Sequence, residues 1–107
     1  MTIAFEDLEK VDIRTGLVTA AEVVPKSKKL LKLTVDLGPE LGTRTCVAGI
    51  AQSCNAAQVV GRTYLFVTNL APRPLAGIES AAMIMAGEAE LGLQLATCNC
   101  PPGTRIR

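Results

Sequence analysis

The 107-residue chain is 49% hydrophobic, sets 11 Lys and Arg against 10 Asp and Glu for a net charge of +1, and contains no histidine. That is one domain's worth of chain (1–107), apolar enough for a packed core without cross-links, and the missing imidazole excludes Ser-His and Cys-His nucleophile pairs, His-containing zinc sites and His acid–base chemistry near neutral pH. No apolar run approaches the ~18 residues of a membrane span, and the start has neither a basic nor an apolar leader region, so a cytoplasmic protein without membrane contact is expected.

Along the chain, Ala4 to Lys10 reads as a short helical stretch with Phe5 and Leu8 on one side as a docking pair. Val11 to Val24 is a long β-branched strand in which Gly16 predicts a bulge or sharp bend. Leu31, Leu33, Val35 and Leu37 alternate with Lys32, Thr34 and Asp36, the period of a strand with one buried face, so Lys32 should point outwards. A turn over Gly38 to Gly42 leads to a third strand, Arg44 to Gly49. Asn55 caps a short helix that Gly61 ends. Thr63 to Thr68 and Met83 to Ala86 are the fourth and fifth strands, Leu93 to Thr97 is a last short one, and Pro101-Pro102-Gly103 ends regular structure. The pattern describes an all-β fold, a Greek-key barrel with one small helix between its third and fourth strands.

Catalytic chemistry finds little support. Glu88 and Glu90, and the Glu6-Asp7-Glu9 group, read as solvated carboxylates. No phosphate-cradling glycine loop occurs, so no cofactor and no enzyme activity are expected. Cys98-Asn99-Cys100 is tighter than the spacing that lets two thiolates reach one tetrahedral ion, and Cys46 and Cys54 are eight apart, so no metal site is expected. Cys46 and Cys54 read as free thiols or small hydrophobes, and Cys98 and Cys100 as part of an exposed, oxidisable tail.

Charge is unevenly laid out. Lys26, Lys28, Lys29 and Lys32 cluster, whereas acids collect at Glu6, Asp7, Glu9 and Asp12 and again at Glu88 and Glu90. Between Leu41 and Gly87 the only acid is Glu79, against Arg44, Arg62 and Arg73. Distribution rather than total decides whether such a chain attracts an anion. A lysine run at a strand edge is also a device against aggregation, so the run gains meaning only if it meets Arg73.

Arg73 stands between Pro72 and Pro74 in the segment joining strands four and five, and Gly77 relieves the turn that follows. Prolines on both sides fix φ, which predicts a stiff loop whose guanidinium loses little freedom on meeting an anion. Asn69 to Ala86 reads N-L-x-P-R-x-L-x-G-x-x-S-x-x-M-I-M-A. With Asp12-Ile13-Arg14-Thr15-Gly16 and Lys29-Leu30 leading to Val35-Asp36-Leu37-Gly38, it resembles the signature of the oligonucleotide-binding-fold (OB-fold) tRNA-binding domain family. The resemblance covers nearly the whole chain. It implies a five-stranded Greek-key OB-fold barrel with small N- and C-terminal extensions, and a non-catalytic protein that binds the folded backbone of tRNA largely by shape. Lys29, Asn69, Arg73, Ser80 and Met83 match the family's contact positions, and Lys32 joins them on charge and strand parity.

The chemistry suits that set. Arg73 and Lys29 neutralise phosphates, Asn69 and Ser80 reach phosphate or a ribose 2′-hydroxyl, and Met83 offers a soft apolar contact. Asn69 and Ser80 are also plausible turn-closing residues, and Met83 or Met85 could be the one inside. With only Phe5, Tyr64 and Phe66 as aromatics, a base-stacking platform is not expected. Family likeness also implies a homodimer, an aminoacyl-tRNA synthetase as possible partner, and as alternative a CsaA-like chaperone or export factor that takes extended apolar peptides. The chain departs from the family at Ala82, where glycine is usual, at Leu31, where an aromatic is usual, and in Cys98 to Pro102.

Overall fold

Alternation over residues 31–37 fixes the inside of the fold. In the computed structural model, which describes residues 1–107, Leu31, Leu33, Val35 and Leu37 are buried while Lys32, Thr34 and Asp36 are only half-buried. A short helix α1 (Phe5–Glu9) precedes the long strand β1 (Ile13–Val23). β1 pairs antiparallel with β2 (Leu31–Asp36), and β2 with β3 (Thr43–Ala48) across the single-turn α2 (Gly38–Leu41). Helix α3 (Ala56–Val59) then leads to β4 (Thr63–Val67), which pairs with the other edge of β1. A hairpin, β5 (Arg73–Leu75) with β6 (Ile78–Ser80), follows, before β7 (Met83–Ile84) pairs with β4. A second hairpin, β8 (Ala86–Ala89) with β9 (Gly92–Leu95), and a final β10 (Arg105–Ile106) on β1 complete the chain.

The main sheet runs β3-β2-β1-β4-β7 and curls on itself. The Ala81 amide donates to the Thr45 carbonyl at 2.8 Å, which brings the segment entering β7 onto β3. This is the expected OB-type barrel, with β1, β2, β3, β4 and β7 as its five strands and α3 between the third and fourth. Phe66, Leu31, Leu33, Val35, Leu37, Val18 and Cys46 fill the interior with no appreciable exposure. Each large side chain there contributes roughly 1.5–3 kcal/mol by burial.

Local signals were read correctly at α3, where Asn55 Oδ1 accepts from the Ala57 amide at 2.8 Å and Gly61 takes φ +85° past the end. Four local expectations need correction. The irregularity of β1 lies between Val18 and Ala20, whereas Gly16 is a close-approach glycine: a Cβ there would meet Val35, Leu37 and Phe66 at 2.6–2.8 Å. The proline-flanked segment is a hairpin and not a loop, because proline is admissible on the free edge of a two-stranded sheet. Its turn residues Ala76 and Gly77 have φ of 52° and 78°, as a two-residue primed turn requires. The expected fifth strand, Met83 to Ala86, is split at Met85, where the chain passes from β7 into β8. Finally, the C-terminal segment is tied down rather than free: Thr15 Oγ donates to the Pro101 carbonyl at 2.6 Å, and β10 pairs with β1.

Candidate nucleic-acid interface

The 68–82 segment is pinned at both ends by one side chain. Arg44, half-buried on β3, donates through Nη1 to the Thr68 carbonyl at 2.7 Å and towards the Ala81 carbonyl at 3.4 Å. The Thr68 amide and hydroxyl in turn donate to the Asp12 carbonyl at 2.8 and 3.1 Å. Ser80 secures the returning arm: its buried Oγ accepts from the Val47 amide at 2.9 Å and donates to the Ala82 carbonyl at 3.2 Å. The β5–β6 hairpin therefore stands on β3 as a fixed wall.

Against this wall lies a groove of about 660 Å³. Leu30 of the 24–30 loop, Val47 to Ile50 at the end of β3, the hairpin face of Arg73, Leu75 and Ser80, and Met83, Ile84, Glu88 and Leu93 line it. Twelve of its 16 lining residues are hydrophobic, Arg73 is the one cation among them and Glu88 the one anion, so the floor is apolar and charge sits on the walls. Strand alternation puts Arg73, Leu75, Ile78 and Ser80 on one face of the hairpin and Glu79 on the other. Arg73 is exposed and makes none of the molecule's ion pairs.

The sequence-derived site residues divide by position. Arg73, Ser80 and Met83 line the groove, and Met83 is 44% exposed whereas Met85 is half-buried, so Met83 is the more outward methionine of the pair left open above. Lys29 is exposed beside Leu30 at the opposite rim, and its carbonyl accepts from the Ala51 amide at 3.0 Å, anchoring that loop to the end of β3. Lys32 points off the β2 surface, registered with the lining residue Val47 on one side and with Glu22 on the other; its ammonium lies 3.5 Å from the Glu22 carboxylate. Asn69 is elsewhere: its amide receives the Asp12 N–H at 2.9 Å and donates to the Lys10 carbonyl at 2.6 Å, so both polar ends hold the N-terminal segment. Ser80, likewise, has its hydroxyl engaged within the fold. Sequence reasoning missed Arg44 as the clasp; only its place among the acid-poor residues 42–86 hinted at it. Ala82, where the family has glycine, has no left-handed backbone and packs in the core.

At the far end of β1 the charges are paired instead. Arg14 bridges Asp12 at 2.9 Å and Glu40 at 3.0 Å, and Arg105 reaches Asp12 at 3.2 Å. Hydrogen bonding from Arg14 holds the Asp12 and Glu40 carboxyls below their ordinary range, and these partners raise the Arg14 pKa in turn. Burial pushes the Cys46 thiol up to about 11, and raises that of Cys54. Nowhere do three or more Cys, Asp or Glu side chains converge as a metal ligand set. No helix is long and apolar enough to cross a membrane.

Comparison with known proteins bears on this geometry. The family model described as putative tRNA binding domain matches residues 13–105. A methionine–tRNA ligase of Methanoregula boonei is 47% identical over 105 residues, which is 98% of this chain but 16% of that protein. Among solved structures, the MetRS related protein from Pyrococcus horikoshii superposes with a TM-score of 0.93 at 34% identity, covering 100% of this chain and 99% of that one. The chaperone CsaA from Bacillus anthracis does so with a TM-score of 0.89 at 31% identity, covering 100% of both chains.

Proposed function

We propose that this chain, which belongs to the tRNA-binding domain family, binds the folded backbone of tRNA through the groove between the 24–30 loop and the β5–β6 hairpin, without catalysis of its own. Arg73 carries the reading. An exposed guanidinium without a carboxylate partner, on a wall clasped at both ends, is pre-set for a phosphate and gives up little freedom in meeting it. Lys29, with Lys26 and Lys28 beside it, supplies the cationic opposite rim, and Lys32 adds charge one strand away, reduced by Glu22. Met83 offers the apolar contact on the groove floor. Ser80 serves by holding the wall and Asn69 by holding the N-terminal segment, rather than by touching RNA.

In this reading residues 1–107 act as one domain. The exposed Phe5 and Leu8 of α1 form the surface on which two copies pair, which would put two grooves on one tRNA and raise their effective concentration. An aminoacyl-tRNA synthetase is the partner, in cis or in trans, to which the module lends tRNA affinity in the cytoplasm, a reading supported by the 47% identity to a methionine–tRNA ligase of whose length this chain spans 16%.

The test is a titration of labelled bulk tRNA at low and moderate salt. Saturable binding that weakens steeply with salt and falls about tenfold in Arg73→Ala supports the reading; absence of saturable binding at low salt by folded protein rejects it. A second reading, a chaperone-like site for extended apolar peptides, draws on the mostly hydrophobic groove lining and the likeness to CsaA. Binding by apolar burial would change little with salt, which separates the two.

A further inference from the structure

We propose that Cys98 and Cys100 form a peroxide-reactive thiol pair that closes to an intramolecular disulfide. Nothing in tRNA binding uses these two residues. Both are free and half-exposed, in contrast to Cys46, which is sealed in the core. They stand two residues apart in a stretch held firmly on either side. Before it, Thr97 bridges Tyr64 and the Ala96 carbonyl accepts from the Leu65 amide at 3.0 Å. After it, the Pro101 carbonyl accepts from Thr15 Oγ and Thr104 Oγ, each at 2.6 Å. Anchors on both flanks keep the thiols together in the reduced protein, so little chain freedom is lost on closure.

The two sulfurs are chemically unequal. The neighbouring Cys100 amide and thiol, and the Asn99 amide, favour a thiolate at Cys98 and lower its pKa against the opposing cost of burial. The Cys100 thiol, donating to that sulfur and facing its charge, is raised. Cys98 is therefore the attacking thiol and Cys100 the resolving one. The Cys98 thiolate attacks one oxygen of a hydroperoxide; the S–O bond forms, the O–O bond breaks, and the leaving alkoxide or hydroxide takes a proton from water. Sulfur is oxidised to sulfenic acid and the peroxide reduced to an alcohol or water. Cys100 then attacks Cys98 Sγ, the S–S bond forms, the S–O bond breaks, and the thiol proton leaves with the oxygen as water.

Hydrogen peroxide is the probe, with thiol alkylation and peptide mass spectrometry as readout on the full chain, folding being checked by circular dichroism. The expected result is loss of both thiols from the Cys98–Cys100 peptide of the native protein while Cys46 stays reduced, and a dimedone-trapped sulfenic acid at Cys98 in Cys100→Ser. Cys98→Ser should largely abolish rapid thiol loss at Cys100, which then lacks the sulfenic acid with which it condenses. Equal oxidation of all four cysteines, disulfides formed only between chains, or peroxide reactivity undiminished by Cys98→Ser would overturn the assignment.

Discussion

Two ends of the same barrel treat arginine in opposite ways. At the Asp12 end Arg14 is only 12% exposed and lies between two carboxylates, with Arg105 closing on the same Asp12. At the groove Arg73 is exposed and without an ionic partner. A charge committed to partners within the fold holds chain segments together, since Asp12 joins β1 to β10 and the Asp12 carbonyl anchors Thr68. One left uncommitted contributes little to folding and is available to an external anion. Arg44 stands between the two, because it is engaged by carbonyls within the fold yet what it holds is the wall of the groove.

That intermediate position gives the sharpest test. Arg44→Met should lower stability by about 1.5–3 kcal/mol, the range for hydrogen bonds to a charged donor, and should also weaken tRNA binding by freeing both ends of the 68–82 segment. Urea denaturation and a tRNA titration of the same sample measure both; loss of stability with unaltered binding would show that the hairpin stands without its clasp. Arg14→Met should cost about 1–2 kcal/mol, between the values for exposed and buried pairs, and leave tRNA affinity unchanged. Arg73→Ala should do the reverse, shifting stability by less than about 0.5 kcal/mol while weakening tRNA binding about tenfold at low salt and reducing the salt slope by about one. If Arg73→Ala destabilises the fold as much as Arg14→Met does, the contrast between the two ends fails.

Smaller effects follow from pH and from the hairpin turn. Asp12 and Glu40 have depressed folded-state values, so the stability they contribute is present above the ordinary carboxylate range and is lost as pH falls below about 4 through the lowered values. Thermal unfolding should show this acid decline in the parent and a shallower one in Arg14→Met. Ala76 takes φ of 52° at the first turn position between β5 and β6, so Ala76→Gly, relieving the left-handed strain, should raise stability by about 0.4–1 kcal/mol with the groove chemistry unchanged.

What could be read in the sequence follows the range of the interactions involved. The alternation of Leu31, Leu33 and Val35 and the Asn55 cap concern neighbours within a turn or a strand, so their residue types report them directly. The β5–β6 hairpin was hidden because Pro72 and Pro74 suppress a strand signal that a free edge tolerates, although a two-residue turn between Leu75 and Ile78 was there to be read. Residue types alone gave Gly16 as a bend, when the three core side chains that exclude a Cβ come from β2, the start of α2 and β4.

Sequence by itself determined the barrel and its family, and marked Arg73 as a cation in an acid-poor stretch, because patterning and motif spacing are properties of the chain. Which polar groups remain open to a ligand was decided only by the tertiary structure. Asn69 is claimed by Asp12 and Lys10, 57 and 59 residues away, Ser80 by Val47, 33 away, and Lys32 in part by Glu22 on the next strand, whereas Arg73 is claimed by none of the molecule's carboxylates. A side chain's hydrogen-bonding capacity is finite, and only folding shows which distant backbone groups have already used it.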